Sequence, residues 1–302
     1  MLKVVAAQPL DLSPEQKNRL EKLGRVTYYD TRAETPEEWL KRVQGFDVIC
    51  TGLFGVREKS QELHDVFVTL PFVGVGWADP KTLKQHNVVM SNSPGCNRYA
   101  VAEWIIGMLL TAMRHLDTYL NVANLPFGQM PASGTGFYNK TVTILGHGNI
   151  GTIVGAVCSA FGANVRFFER GDDLGASVKD SDIVIDSLSV NPSTDNLLNE
   201  TFFAALKPKT IFATVSAGNV VNLNALFQAL DDGTLSYVIH DAQTPGDTAD
   251  PTYRRLRAHK RVYVTPHIGY NTDVSQFTSN EMMIENIEAW AAGKPIHVIE
   301  PA

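Results

Sequence analysis

A short apolar run, Thr141-Val142-Thr143-Ile144-Leu145, leads without a break into Gly146-His147-Gly148-Asn149-Ile150-Gly151, and no other feature of the chain restricts the fold so tightly. Five compact, mostly β-branched residues read as a buried strand. The apolar stretch after the glycines, through Phe161, reads as a helix. A GxGxxG at a strand-to-helix junction carries meaning that the bare motif lacks. Gly146 permits the tight turn, Gly148 lets a pyrophosphate approach backbone N–H groups, and Gly151 lets helix and strand pack closely. His147, Asn149 and Ile150 complete the loop, with the His147 side chain expected to face solvent. The following strand, Val165–Phe168, ends at Glu169, about twenty residues beyond the loop. There an acid accepts hydrogen bonds from adenosine ribose hydroxyls and repels a 2′-phosphate. The expected cofactor is therefore NAD rather than NADP, with Arg170 as the neighbouring residue that tolerates a phosphate.

Around this unit the chain alternates short strand-like runs with capped helices, which means βαβ units and parallel sheets. Ser13-Pro14-Glu15-Gln16 and Thr35-Pro36-Glu37-Glu38 carry helix-start signals. Strands are expected at Val4–Ala7, Val26–Tyr29, Asp47–Thr51, Phe72–Val75 and Val88–Ser91. A helix that is apolar nearly all round is expected from Arg98 to Arg114, buried between layers. Residues 118–137 read as a connecting arm. Further strands follow at Ile183–Ile185, Ile211–Val215, Tyr237–His240 and Val262–Val264, then a helix over Asp273–Ala292. With 302 residues, 44% of them hydrophobic, two domains are expected. The net charge of −6 has no basic block, which argues against nucleic acid and against an anionic membrane surface as partners. No apolar run approaches a membrane span. Cys50, Cys96 and Cys158 are too few and too scattered for a zinc site or disulfide framework, so a reducing cytoplasm is the expected compartment and no metal is expected.

Beyond the glycine loop, four more segments carry a resemblance. They are Val73-Gly74-Val75-Gly76-Trp77; Ser91-Asn92-Ser93-Pro94-Gly95-Cys96-Asn97 with Ala100-Val101-Ala102-Glu103; Thr265-Pro266-His267-Ile268-Gly269; and Asn286-Ile287-Glu288-Ala289-Trp290-Ala291-Ala292-Gly293-Lys294-Pro295. In this order and spacing the chain resembles the D-isomer-specific 2-hydroxyacid dehydrogenase family over nearly its whole length. The resemblance implies two doubly wound α/β domains, a Rossmann cofactor domain (97–268) inserted into a flavodoxin-like substrate domain (1–96 and 269–302). It places the active site in the cleft between them. It implies hydride transfer between NAD(H) and a small hydroxy or oxo substrate, with His267 as acid/base, and a homodimer. Val75, Gly76, Trp77 and Asn97 match substrate-side positions, and Ser187 and Asp241 match cofactor-side positions.

Two family positions are altered. Ala217, in Thr214-Val215-Ser216-Ala217-Gly218-Asn219, stands where the family has the arginine that grips the substrate carboxylate. An arginine fork supplies two charge-assisted bonds, and alanine supplies none. Gly246 stands where the family has the acid that orients the histidine, and Asp247 is its neighbouring substitute. Ala78 replaces an Asp of the substrate loop, and Ser187-Leu188-Ser189 replaces the family's His-x-Pro. Arg57 and Arg98 are the candidate replacement cations. Two readings stand: an atypical NAD(H)-dependent oxidoreductase, or a non-catalytic NAD(H)-binding member acting as sensor or scaffold.

Overall fold

Local signals start the first helices where the sequence places them. The Ser13 hydroxyl accepts from the Gln16 amide while the Gln16 side chain returns to the Ser13 amide, so two orphan donors are satisfied reciprocally. Thr35 accepts from the Glu38 amide in the same way. The computed structural model describes residues 1–120, 134–216, 219–241 and 251–300. Ala217, Gly246, Asp247 and most of the expected arm fall outside the described residues.

The chain divides into two units, Met1–Asn97 with Asn271–Ala302, and Arg98–Tyr270. In the first, β1 (Leu2–Ala6), α1 (Pro14–Leu23), β2 (Gly24–Tyr28), α2 (Pro36–Val43), β3 (Val48–Cys50), α3 (Val56–Lys59), β4 (Val66–Thr69), α4 (Pro80–Gln85) and β5 (Val88–Ser91) follow one another. Their sheet is wholly parallel in the order β2-β1-β3-β4-β5, the flavodoxin-like doubly wound arrangement. The strand expected at Phe72–Val75 is a correction: the fourth strand is Val66–Thr69 and 72–75 is loop. Pro71 has no N–H to donate to a ladder, so pairing ends before it.

The second unit runs α5 (Arg98–Arg114), α6 (Leu116–Leu120), β6 (Thr141–Leu145), α7 (Asn149–Ala160), β7 (Asn164–Phe168), α8 (Leu174–Val178), β8 (Ile183–Asp186), α9 (Glu200–Ala204), β9 (Thr210–Thr214), α10 (Leu223–Asp231), β10 (Leu235–Asp241), α11 (Pro251–Ala258) and β11 (Val262–Thr265). Its parallel sheet is ordered β11-β10-β9-β8-β6-β7. Because β7 and β8 flank β6 on opposite sides, the connection order reverses at β6, and a ligand crevice opens outside the carboxyl end of that strand. Alternate residues of the same strands feed two cores. Leu145, Val184, Phe212 and Val238 pack beneath α9 and α10. Ile144, Ile185, Ala213 and Ile239 pack against α5 and α7. Ile105, Leu109, Ala112 and Met113 are buried along α5, as an all-round apolar helix requires.

The last helix, α12 (Asp273–Ala291), returns to the first unit and lies on α1. Gln16 Nε2 donates to Glu281, and Arg19 bridges Glu281 and Glu288. The chain then adds to the far sheet edge, with the Ile299 amide donating to the Met90 carbonyl. Among the described residues no helix is long and apolar enough to cross a membrane.

Candidate active site

The glycine loop leaves the carboxyl end of β6 at the reversal point of the second sheet. Gly146 has φ +96°, a conformation that side chains avoid, and a Cβ there would lie 3.2 Å from the Ser187 carbonyl. A Cβ on Gly151 would sit 2.1 Å from the Gly146 carbonyl oxygen, so the helix start can approach the loop only without a side chain. Around Gly148 there is open space, and as N-cap of α7 it offers no side-chain bond to the first-turn amides. A twelve-residue helix with an uncapped, exposed N-terminus and a side-chain-free approach suits a pyrophosphate. Gly146, Gly148 and Gly151 therefore fit a dinucleotide, with Asn149 and Ile150 in the first turn.

Register brings the ends of β6 and β7 together. Leu145 pairs with Phe168, so the residues just past each strand emerge together. His147 and Glu169 meet there, Nδ1 to Oε1 at 2.8 Å. The imidazole also stacks on the Phe167 ring at 3.9 Å between centroids. His147 is exposed, as expected, and is also tied to the acid at the end of β7. Arg170 is exposed beside it. Ser187 turns its hydroxyl back to the Leu145 and Gly146 carbonyls, bracing the underside of the loop.

His267 sits beyond the carboxyl end of β11, hence on the same sheet edge as the glycine loop. Its φ is +54°, left-handed for a residue with a side chain, and such conformations persist where surroundings enforce them. Here the enforcing group is Asp241 at the end of β10. One carboxylate oxygen accepts from the Thr265 hydroxyl at 2.6 Å and the Ile268 amide at 2.9 Å, and the other accepts from the Gly269 amide at 2.8 Å. Asp241, expected as a cofactor contact, has both oxygens engaged by the turn that carries His267. Any side chain at Gly269 would press on Asp241 and Trp104.

An acid not singled out in the sequence lies between these groups. Asp186 ends β8 fully buried, where its Oδ2 accepts from the Thr214 hydroxyl and its Oδ1 from the Ser216 hydroxyl, each at 2.8 Å. The Leu188 amide completes the set at 3.1 Å. Burial pushes this carboxyl up to about 6, against partial relief from those donors. The signal was available: an acid closing the buried run Ile183-Val184-Ile185, opposite hydroxyls two residues apart at and just beyond the end of β9. Asp186 ties the loop carrying Ser187 to the stretch that follows β9 at Ser216.

A raised folded-state pKa favours the protonated form, so this group's stabilising contribution is present below about pH 4 and is lost as pH rises through about 6. Asp186→Asn removes that titration. The unfolding free energy of the variant is expected to gain about 1–3 kcal/mol on wild type between pH ~4 and pH ~7, measured by urea denaturation. A difference that stays flat with pH would show that Asp186 does not titrate in that window.

The substrate-side candidates of the first unit lie at the carboxyl edge of its own sheet. Arg57, in the first turn of α3, reaches Glu58 at 3.0 Å and remains largely exposed. Val75 and Trp77 pack on that unit's core, with Gly76 exposed between them. The Trp77 indole donates to the Gly74 carbonyl at 3.1 Å. Asn97 is half-buried at the end of the unit, and Arg98 lies over its neighbour Tyr99. Among these residues the structure does not join Arg57 to any other candidate.

Comparison with known proteins agrees with this geometry. Residues 106–269 match the model of the D-isomer specific 2-hydroxyacid dehydrogenase, NAD binding domain. A D-3-phosphoglycerate dehydrogenase of Synechocystis sp. is 28% identical over 240 residues, 74% of this chain and 42% of that protein, so the match spans under half of that relative's length. A D-lactate dehydrogenase of Staphylococcus aureus is 27% identical over 267 residues, 77% of this chain and 79% of that one. An acyclic imino acid reductase solved with NADPH and D-Arg superposes with a TM-score of 0.84 at 20% identity, covering 99% of this chain and 100% of that one, which shows the shared fold. The family model takes in the glycine loop, Glu169, Asp241 and His267 alike, and the chain belongs to the D-isomer specific 2-hydroxyacid dehydrogenase family.

Proposed function

We propose that this protein is an NAD(H)-dependent oxidoreductase acting on a hydroxy/oxo substrate whose binding does not rely on the arginine that Ala217 replaces. The observation that carries the reading is the Asp241-anchored turn, which holds His267 in a left-handed conformation on the sheet edge that also bears the dinucleotide loop. A protein that only sensed cofactor has no need of that arrangement.

Gly146, Gly148, Gly151 and the α7 N-terminus would hold the pyrophosphate, with Glu169 on the adenosine ribose. The bound nicotinamide supplies a hydride acceptor or donor. In the reducing direction, the His267 imidazole gives its proton to the oxygen of the carbonyl carbon that gains hydride, and in the oxidising direction it takes that proton back. Asp241 holds the histidine's backbone in place, so little reorganisation accompanies the transfer. Asp247, in the family's acid region, is part of this proposal as the residue that orients the imidazole. Arg57, Val75, Gly76, Trp77 and Asn97 are proposed on the substrate side. The loss of two bonds to a carboxylate, each typically worth about 1.5–3 kcal/mol, favours substrates that are neutral or differently charged at the reacting end. A homodimer in the cytoplasm completes the reading, supported by the family and by exposed Leu120, Tyr138 and Phe161 on the cofactor unit.

The test is loss of NADH with a panel of 2-oxo acids, aldehydes, ketones and imines. Imines are included because the fold is shared with an imino acid reductase. Turnover of an uncharged carbonyl or an imine, with pyruvate and glyoxylate poor, is the expected result. Efficient turnover of small 2-oxo acids would show that another cation does the arginine's work. NADH binding with no turnover of any compound would favour the sensor or scaffold reading.

A further inference from the structure

The glycine loop contains a side chain that a phosphate cradle does not itself require. His147 emerges beside Glu169 because β6 and β7 pair in register, and two independent contacts fix it there. Its ring lies on Phe167 at 3.9 Å and 19° from parallel, and its Nδ1 lies 2.8 Å from Glu169 Oε1. Glu169 is pinned in turn, its amide donating to Asp172 Oδ2 at 2.8 Å. One carboxylate oxygen is thereby committed to the imidazole, leaving Oε2 for a ribose hydroxyl. We propose, resting on the dinucleotide reading above, that His147 is a positioning residue that sets the orientation of the Glu169 carboxylate and thereby the discrimination between a 2′-hydroxyl and a 2′-phosphate on the dinucleotide.

The argument is electrostatic: a carboxylate held towards the 2′ position accepts from a hydroxyl there and repels a phosphate. The other charged groups nearby are Arg166 on β7, which alternates to the strand's opposite face from Phe167, and Arg170, Asp172 and Asp173 in the segment that follows. The first turn of α7 has no acidic residue. Glu169 is therefore the acid aimed with His147 at the ribose end, while Arg170 supplies a local cation. Both members of the pair are partly exposed, so the effect is screened and moderate rather than absolute.

The experiment is the dissociation constant of NADH and of NADPH, by cofactor fluorescence, for wild type, His147→Gln, His147→Ala and Glu169→Gln. His147→Ala is expected to weaken NADH about threefold or more and to lower the NADPH-to-NADH ratio of Kd about fivefold, with His147→Gln, which keeps a hydrogen-bond donor, restoring part of both. Glu169→Gln is expected to lose the discrimination. Wild-type NADH affinity or an unchanged ratio in His147→Ala would overturn the proposal. If wild type bound neither dinucleotide, the cofactor site itself would fall, and the proposal with it.

Discussion

Replacing His267 by asparagine is expected to lower kcat by about 10²–10⁴-fold while leaving the NADH dissociation constant nearly unchanged. Asparagine is chosen because it tolerates the left-handed φ of +54° that position 267 adopts, so the turn survives and only the proton donor is removed. An amide neither gives nor takes a proton near neutrality. The measurement is steady-state turnover with whichever substrate the panel identifies, beside NADH binding by fluorescence. A variant that kept more than about a tenth of wild-type kcat would remove His267 from the chemistry. Loss of NADH binding as well would instead point to collapse of the sheet edge.

Asp241→Ala is expected to act on stability and turnover together. Three donors now end on its carboxylate: the Thr265 hydroxyl and the Ile268 and Gly269 amides. Removing the acceptor leaves buried donors unpaired, at about 1–3 kcal/mol each before water relieves some of the loss. The expected destabilisation is about 3–5 kcal/mol by urea unfolding, a large share of the stability typical of a domain. The turn that carries His267 then loses these three bonds, so kcat should fall at least tenfold even where the protein remains folded. Asp241→Asn retains one acceptor oxygen but turns an N–H group towards other donors, and an intermediate loss is expected. A destabilisation of Asp241→Ala under about 1 kcal/mol would show that the turn holds its shape without this carboxylate.

Much of this was legible in the sequence because it rests on backbone requirements. Gly146, with its positive φ, and Gly151, with no room for a Cβ, each answer a steric demand, while Gly148 has open space around it. The boundaries of α5 coincide with the expected helix because an all-round apolar run admits few alternatives. The misplaced fourth strand shows the opposite case. Val66-Phe67-Val68-Thr69 and Phe72-Val73-Gly74-Val75 have similar local character, and only the missing N–H of Pro71 and the pairing partners distinguish them. Side-chain partnerships were the least visible. That Glu169 faces His147, or that Asp241 holds a turn from 265 to 269, depends on which strand ends emerge side by side. Asp186 is silent in the sequence because its meaning comes from Thr214 at the end of the neighbouring strand and Ser216 just beyond it.

The return of α12 to the first unit has a consequence for how the chain is made. Residues Arg98–Tyr270 are continuous and leave the ribosome as one block, free to condense as soon as they clear the exit tunnel. The first unit emerges earlier yet lacks its covering helix: Gln16 and Arg19 await Glu281 and Glu288, and Thr69 and Asn92 await Asn286. Its nascent sheet must therefore persist with one face only partly covered, by α1, until α12 is made, an interval in which a chaperone has the most to bind. Order of synthesis and order of completion are inverted, and a nascent chain halted before residue 273 would present a finished cofactor unit beside an unfinished companion.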